Sequence, residues 1–370
     1  MTGSRPGGWP AVLITAGIAV VVAVVVANAP RRLPRTSLPI AFRDDAATSR
    51  HRPFVAHNGG GDDFPELSMA GVEAALGVAT GGAAASFAGI ELDSQVTADG
   101  VLVAFHDASV GDDTDGSGLV RDLTWKVVAE LDARKAFCVP GRDGEAAGRR
   151  GANQARLCRQ PIRVHQTAEL VDAVLAASDD AVLVLEIKPF AAVDAVADAM
   201  ARLFESRPAL YERAVVLSFM SNILHAVGDR DPGIARVLLL RDELIGHACR
   251  VGAFDRASWL CWGAPAIDAL ALGLARCGLT AWFLGLAGLG VHAGMVDLTP
   301  PDGGHDPLVA SLSRYCLLDG ASMCYLWGLS RAAWADATIV RPDLTSRLAA
   351  TAGVYFTLDA IPEAWLEAGP

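Results

Sequence analysis

The stretch Ala181-Val-Leu-Val-Leu-Glu-Ile-Lys188 narrows the possible folds more than any other. Its near-continuous apolar run is what a strand covered on both faces looks like, and such strands belong to parallel sheets wrapped by helices. Comparable short runs lie near residues 54 and 90 and at Ala214–Phe219, Ala235–Leu240, Ala281–Leu286, Met323–Leu329 and Val354–Leu358. Between them fall helical stretches at Met69–Val78, Thr167–Ala177, Val193–Glu205, Asn222–Val227, Pro265–Cys277, Pro307–Leu317 and Arg331–Ala350, the last broken at Pro342. About eight strand–helix units in this order predict an α/β protein, a (β/α)8 TIM barrel.

The barrel is expected over residues 53–370, beginning at the short apolar strand Arg52-Pro-Phe-Val-Ala56. Residues 111–162 interrupt its first half; they are rich in Gly, Asp and Arg, have little apolar periodicity and read as an inserted subdomain. Residues 31–52, rich in Pro, Arg, Ser and Thr, read as a linker. Ahead of them, residues 1–30 hold an uncharged apolar run from Ala11 to Ala27, a length that suits an N-terminal hydrophobic helix crossing a bilayer. An uncleaved membrane anchor is the expectation. A removed signal peptide, and with it a secreted protein, is the alternative, because Ala27-Asn28-Ala29 has the small-x-small form of a cleavage site. Arg31, Arg32 and Arg35 follow the run; by the positive-inside rule they leave the barrel cytoplasmic, whereas a signal-like anchor does the opposite.

A net charge of −11 argues against a nucleic-acid partner, which needs a basic face. Of the seven cysteines, Cys138 and Cys158 bracket the inserted segment as a candidate disulfide. The other five have no CxxC spacing, so no zinc site is indicated, and in their apolar surroundings they read as buried free thiols.

The chemistry concentrates between Phe87 and Asp107. Glu91 and Asp93 alternate with the apolar Ile90 and Leu92, so on a strand both carboxylates share one face. Side by side they repel unless a cation lies between them, and a divalent cation with oxygen ligands answers that need. Ala98-Asp99-Gly100 is a turn, and Val101–Phe105 is a second strand that delivers His106-Asp107. His57 follows the first barrel strand, the place where barrel sites form. Glu186 and Lys188 share a face near the end of their strand.

His57-Asn-Gly, Pro65-Glu66, Glu91-Leu-Asp93, Thr97 through Asp107 and Glu186-Ile-Lys188, in this order and spacing, resemble the glycerophosphodiester phosphodiesterase family. The resemblance runs from about Phe54 to the C-terminus and is densest before residue 190. It implies a TIM barrel with a small insertion and a divalent cation, magnesium or calcium, held by Glu91, Asp93 and Glu186. It implies His57 and His106 as the acid/base pair, Lys188 as the group that neutralises the phosphate, and Trp327 as a pocket aromatic. It also implies that the glycerol hydroxyl beside the ester is the nucleophile, giving a cyclic phosphate that water then opens. The chain departs from the pattern where the family carries His-Arg-Gly: Asn58 occupies the substrate-binding position of a phosphate-binding arginine. Pro65-Glu66-Leu67-Ser68, Trp327-Gly-Leu-Ser330 and Thr357-Leu-Asp-Ala-Ile-Pro362 depart as well.

Each motif has a plainer reading alone. Glu-x-Asp is often a solvated face, His before glycines a loop residue, and His-Asp a turn. Gly59-Gly-Gly61 reads as a loop turn as readily as a phosphate cradle. Their joint occurrence predicts a metal-dependent phosphodiesterase acting on a small-molecule or lipid diester, lysophospholipids included. Two alternatives stand beside it: a barrel that binds headgroups with weakened turnover, suggested by Asn58, and a phospholipase D-like lipid cyclase. The sequence does not address the oligomeric state.

Overall fold

The structure is a computed structural model describing residues 33, 35–42, 54–60, 63–77, 87–138, 149–189, 192–241, 249, 259–276, 279–292, 295, 307–316, 323–329 and 354–358. The chain divides into two units, Met1–Arg32 and Leu33–Pro370. The first unit, with the expected N-terminal hydrophobic helix, lies outside the described residues, as does the helix expected over residues 331–350. Among the described residues no helix is long and apolar enough to cross a membrane.

Ten strands form the sheet: β1 (Phe54–Ala56), β2 (Gly89–Val96), β3 (Leu102–Ala104), β4 (His165–Gln166), β5 (Val182–Ile187), β6 (Ala214–Ser218), β7 (Arg236–Leu240), β8 (Gly288–His292), β9 (Met323–Leu329) and β10 (Val354–Leu358). Eight of them run parallel from β1 through β2, β5, β6, β7, β8 and β9 to β10. β10 returns to pair with β1, so the barrel closes. Closure leaves no parallel edge unpaired. β3 and β4 continue antiparallel from the far end of β2.

Alternation along the strands sorts side chains into two layers. Val55, Val184, Leu217, Val237, Leu239 and Tyr325 pack together inside the barrel. Ile90, Leu92, Leu183 and Leu185 face outward into a larger cluster with the helices. Outside the insertion, and apart from a single turn at Leu210–Arg213, the helices are α1 (Met69–Ala75), α2 (Thr167–Ala177), α3 (Val193–Glu205), α4 (Ser221–Arg230), α5 (Trp259–Arg276), α6 (Leu279–Leu284) and α7 (Pro307–Leu312) among the described residues. Ser68 caps α1, its Oγ accepting the Gly71 N–H at 3.2 Å, as its position ahead of an apolar helix predicts.

Two expectations are corrected. The apolar run read as a strand at 281–286 belongs largely to α6, and the strand is Gly288–His292 instead. A six-residue apolar run carries no period that separates helix from strand. The helix expected from Pro265 begins at Trp259 and carries Pro265 inside it.

The insertion between β3 and β4 contains short helices at Trp125–Val128, Arg134–Cys138 and Arg149–Leu157. Val103, Phe105, Val110, Val120, Val128 and Val164 give it a small core of its own. The Cys138–Cys158 disulfide closes it. Cys249–Cys261 and Cys316–Cys324 are also bonded, which corrects the reading of these four as free thiols. Spacing in sequence does not show which thiols the fold brings together. Cys277 lies outside the described residues.

Candidate active site

The parallel strands all end at one mouth, and register decides which inward side chains meet there. Asp93 on β2 stands directly beside Glu186 on β5. Glu91 lies two residues earlier on the same face. Carboxylate oxygens of Glu91, Asp93 and Glu186 all fall within 4.8 Å of one another. The two segments thus converge as the motifs predict, and all three residues are buried or nearly so.

Lys188 follows β5 and is 8% exposed. Its Nζ lies 2.9 Å from Asp93 Oδ1 and 3.0 Å from Glu186 Oε1. One lysine cannot balance three carboxylates. Burial, and then the charge of Asp93, push the Glu91 carboxyl well above its usual range. Burial likewise raises Glu186 against the pull of Lys188. Burial alone would raise Asp93 too, but Lys188 and the two imidazoles hold it low. The Lys188 ammonium loses solvation and still titrates higher than a free lysine, because Asp93 and Glu186 face it. Glu91 Oε1 and Asp93 Oδ2 are buried with no hydrogen-bond partner among the described residues. Orphaned anionic oxygens beside an excess of negative charge are the donor set that a hard divalent cation needs.

His57 occupies a 3-10 turn that directly follows β1. Its Nε2 lies 3.8 Å from Glu91 Oε2, and the ring is about one-third exposed. Asn58 is 1% exposed and adopts the left-handed φ of 47°. Asn tolerates that region better than most residues. Its N–H donates to Glu91 Oε2 at 3.1 Å, so the backbone of Asn58 orients a member of the acidic trio. Its Oδ1 is buried with no hydrogen-bond partner among the described residues.

His106 leaves β3 at the rim with a side chain 45% exposed, and its Nδ1 meets Asp107 Oδ1 at 2.5 Å. Enclosure lowers the imidazole pKa, but the bond to Asp107 and nearby carboxylates outweigh it, for a net rise. Glu66 is exposed. Trp327 is half-buried on β9, with Phe219 and His292 packed edge-on against it at centroid distances of 5.0 and 4.5 Å.

Sequence reasoning missed Gln95, Tyr325, Phe219, Arg241 and His292. Gln95 shares the face of Glu91 and Asp93 and is 2% exposed. Its Nε2 reaches the carbonyls of Phe105, His106 and Asp107 at 3.0, 3.3 and 2.6 Å, gripping the turn that carries His106. Period-two alternation from Asp93 was a signal that could have found it. Tyr325, two residues before Trp327, is fully buried; burial and then the charge of Glu91 hold its phenol well above its usual range, hence protonated.

Such a mouth can bind a cation, neutralise an anion and offer two imidazoles to it. A family model described as the glycerophosphoryl diester phosphodiesterase family matches residues 57–248, over half of the chain. Glycerophosphodiester phosphodiesterase 1 of Bos taurus is 28% identical over 193 residues, 52% of this chain and 50% of that protein. Glycerophosphodiester phosphodiesterase of Caldanaerobacter subterraneus is 38% identical over 83 residues, 22% of this chain and 31% of that protein. The chain therefore spans at most about half the length of these curated relatives. Among solved structures, the glycerophosphoryl diester phosphodiesterase domain of a Mycobacterium tuberculosis protein superposes with a TM-score of 0.53 at 16% identity, covering 86% of this chain and 99% of that one. An Oleispira antarctica phosphodiesterase, solved with the product sn-glycerol-3-phosphate, superposes with a TM-score of 0.52 at 17% identity, covering 85% and 95%. The two structures share the barrel fold, and the family model extends from His57 past the acidic trio and Lys188. With His57, the Glu91/Asp93 pair, His106 and the Glu186-x-Lys188 pair all inside the matched span, this chain belongs to the glycerophosphoryl diester phosphodiesterase family.

Proposed function

We propose that this protein is a divalent-cation-dependent hydrolase that cleaves glycerophosphodiesters to glycerol 3-phosphate and an alcohol. The observation that carries this reading is the buried trio Glu91, Asp93 and Glu186, whose oxygens gather within 4.8 Å beside Lys188. Family membership and the printed names of the curated relatives support it. Glu91, Asp93 and Glu186 would hold magnesium or calcium, which when bound polarises phosphoryl oxygens and stabilises the charge that builds on them.

The remaining steps belong to the chain's own residues. Lys188 is the fixed positive charge facing the phosphate. His106 takes the proton from the glycerol hydroxyl beside the ester. That oxygen bonds to phosphorus, the bond from phosphorus to the alcohol breaks, and His57 gives the departing oxygen its proton. The cyclic phosphate then opens as water adds to phosphorus, with the two imidazoles exchanging roles and both protonation states restored.

Asn58 favours a second reading, a barrel that binds phosphodiester headgroups with weakened turnover, because its neutral, buried side chain supplies no guanidinium. A lipid cyclase is the third. Lysophospholipids belong to the proposed substrate range through the apolar segment at 11–27, which would hold the barrel near a bilayer. Three disulfides favour an oxidising compartment for the barrel, on the outer face of a membrane or released from it.

The test is to incubate the protein with glycerophosphocholine and lysophosphatidylcholine, with and without EDTA. Release of glycerol phosphate that EDTA abolishes is expected. Binding without turnover would replace this reading with the second, and a cyclic phosphate as the sole end product with the third.

A further inference from the structure

The register that assembles the acidic trio continues round the barrel. Glu186 aligns with Leu217, Leu217 with Val237, Leu239 with Gly290, and His292 with Trp327. Arg241 directly follows β7, two residues beyond the inward-facing Leu239, and so reaches the mouth on the same face. Its guanidinium carbon lies 5.8 Å from the Trp327 ring centroid. No carboxylate among the described residues pairs with Arg241. Lys188, by contrast, is already engaged by Asp93 and Glu186. Trp327 Nε1 is buried without an acceptor among the described residues. Two donors, one charged and one neutral, therefore meet on one wall.

β7 lies two strands from β5 in the sheet. β9, which carries Trp327, lies four strands from β5 and three from β2 round the closed barrel, so the indole stands across the mouth from the acidic trio. That placement suits a group on the half of the diester that points away from the trio. An aromatic cluster at a mouth usually suggests a quaternary ammonium. Here Arg241 already stacks on the indole, and a second cation on that wall would be repelled.

We infer that Arg241 and the Trp327 N–H form a subsite for an oxyanion, a phosphate or carboxylate carried on the alcohol half of the diester, and that this subsite sets substrate preference. The inference rests on the phosphodiesterase reading above. Two substrate pairs, each differing by one oxyanion, test it on the full chain with magnesium: glycerophosphoinositol 4-phosphate against glycerophosphoinositol, and glycerophosphoserine against glycerophosphoethanolamine. The wild type is expected to favour the first member of at least one pair in kcat/KM by about tenfold to hundredfold, the range of a hydrogen bond to a charged group. The pair that shows it tells phosphate from carboxylate. Arg241→Gln should bring that ratio close to one, and Arg241→Lys should keep part of it. No preference in either pair, or an equal loss on all four substrates in Arg241→Gln, would overturn the subsite. If the wild type hydrolyses none of the four, the phosphodiesterase reading fails separately. Calorimetric titration with glycerophosphoinositol 4-phosphate and glycerophosphoserine then decides: at least tenfold weaker binding of either to Arg241→Gln supports the subsite, and equal or undetectable binding of both overturns it.

Discussion

Lys188 is held in place by two carboxylates and in turn keeps them apart from each other's charge. Removing one partner from a buried ionic group usually costs about 3–5 kcal/mol, because the remaining charges stay buried and uncompensated. Lys188→Met, in EDTA, should therefore lower unfolding free energy by roughly that amount, read from urea melts. A change under about 1 kcal/mol would mean that the carboxylates protonate at little cost and that Lys188 is not their counterion. His106 supports a second expectation. The carboxylate of Asp107 helps raise its pKa above the ordinary 6.5 against the effect of enclosure. A base must be neutral, so the acid limb of kcat/KM should lie above that value, and Asp107→Asn should move it to lower pH. A limb that stays put in the variant would detach His106 from the proton transfer. Most of these residues were legible because their chemistry is rare in such company. Asn58 was legible only as a departure. Its contribution is a backbone N–H to Glu91, and a backbone bond leaves no mark on residue type.

Elements were legible where period and length agreed. Helices α2 and α3 match their expected spans to the residue. β8 was hidden by its own glycines, since Gly288-Leu-Gly-Val-His292 looks like a loop. The structure explains them. A Cβ on Gly288 would come 2.1 Å from the Met323 carbonyl oxygen, and one on Gly290 would come 2.4 Å from Leu239 Cδ2. The first contact is with backbone and cannot be relieved by a rotamer change. Gly288→Ala should consequently cost about 3 kcal/mol or more, measured by thermal or urea melts, while Gly290→Ala, facing a movable leucine, should cost about 1–3 kcal/mol. Equal, small effects at both would mean that β8 does not approach β9 at Gly288, or β7 at Gly290, as closely as described. The disulfides were illegible for a related reason. Cys249 and Cys261 meet across twelve residues of chain, and Cys316 and Cys324 across eight, through a fold that local pattern does not encode.

At the scale of the whole molecule, the acidic trio links β2 to a strand nearly a hundred residues later, and the barrel must close correctly before all three carboxylates meet. Folding therefore gathers negative charge that an unfolded chain keeps dispersed. A ligand that binds only the gathered form stabilises it by RT ln(1 + [L]/Kd), about 2.7 kcal/mol at a hundredfold excess over Kd. Adding magnesium or calcium to the EDTA-treated protein should raise its melting temperature in a saturable way, by several degrees. Glu91→Gln removes the charge of the one carboxylate of the trio that Lys188 does not bridge, and with it the repulsion from Asp93 and Glu186. Its effects should point in opposite directions: the metal-free protein should melt no lower than the wild type, while the cation-induced rise should largely disappear. Loss of stability without metal, or a full cation response, would each be incompatible with three carboxylates that repel one another in the absence of a shared ion. The readout requires no turnover, so it tests the cation site apart from the reaction proposed for it.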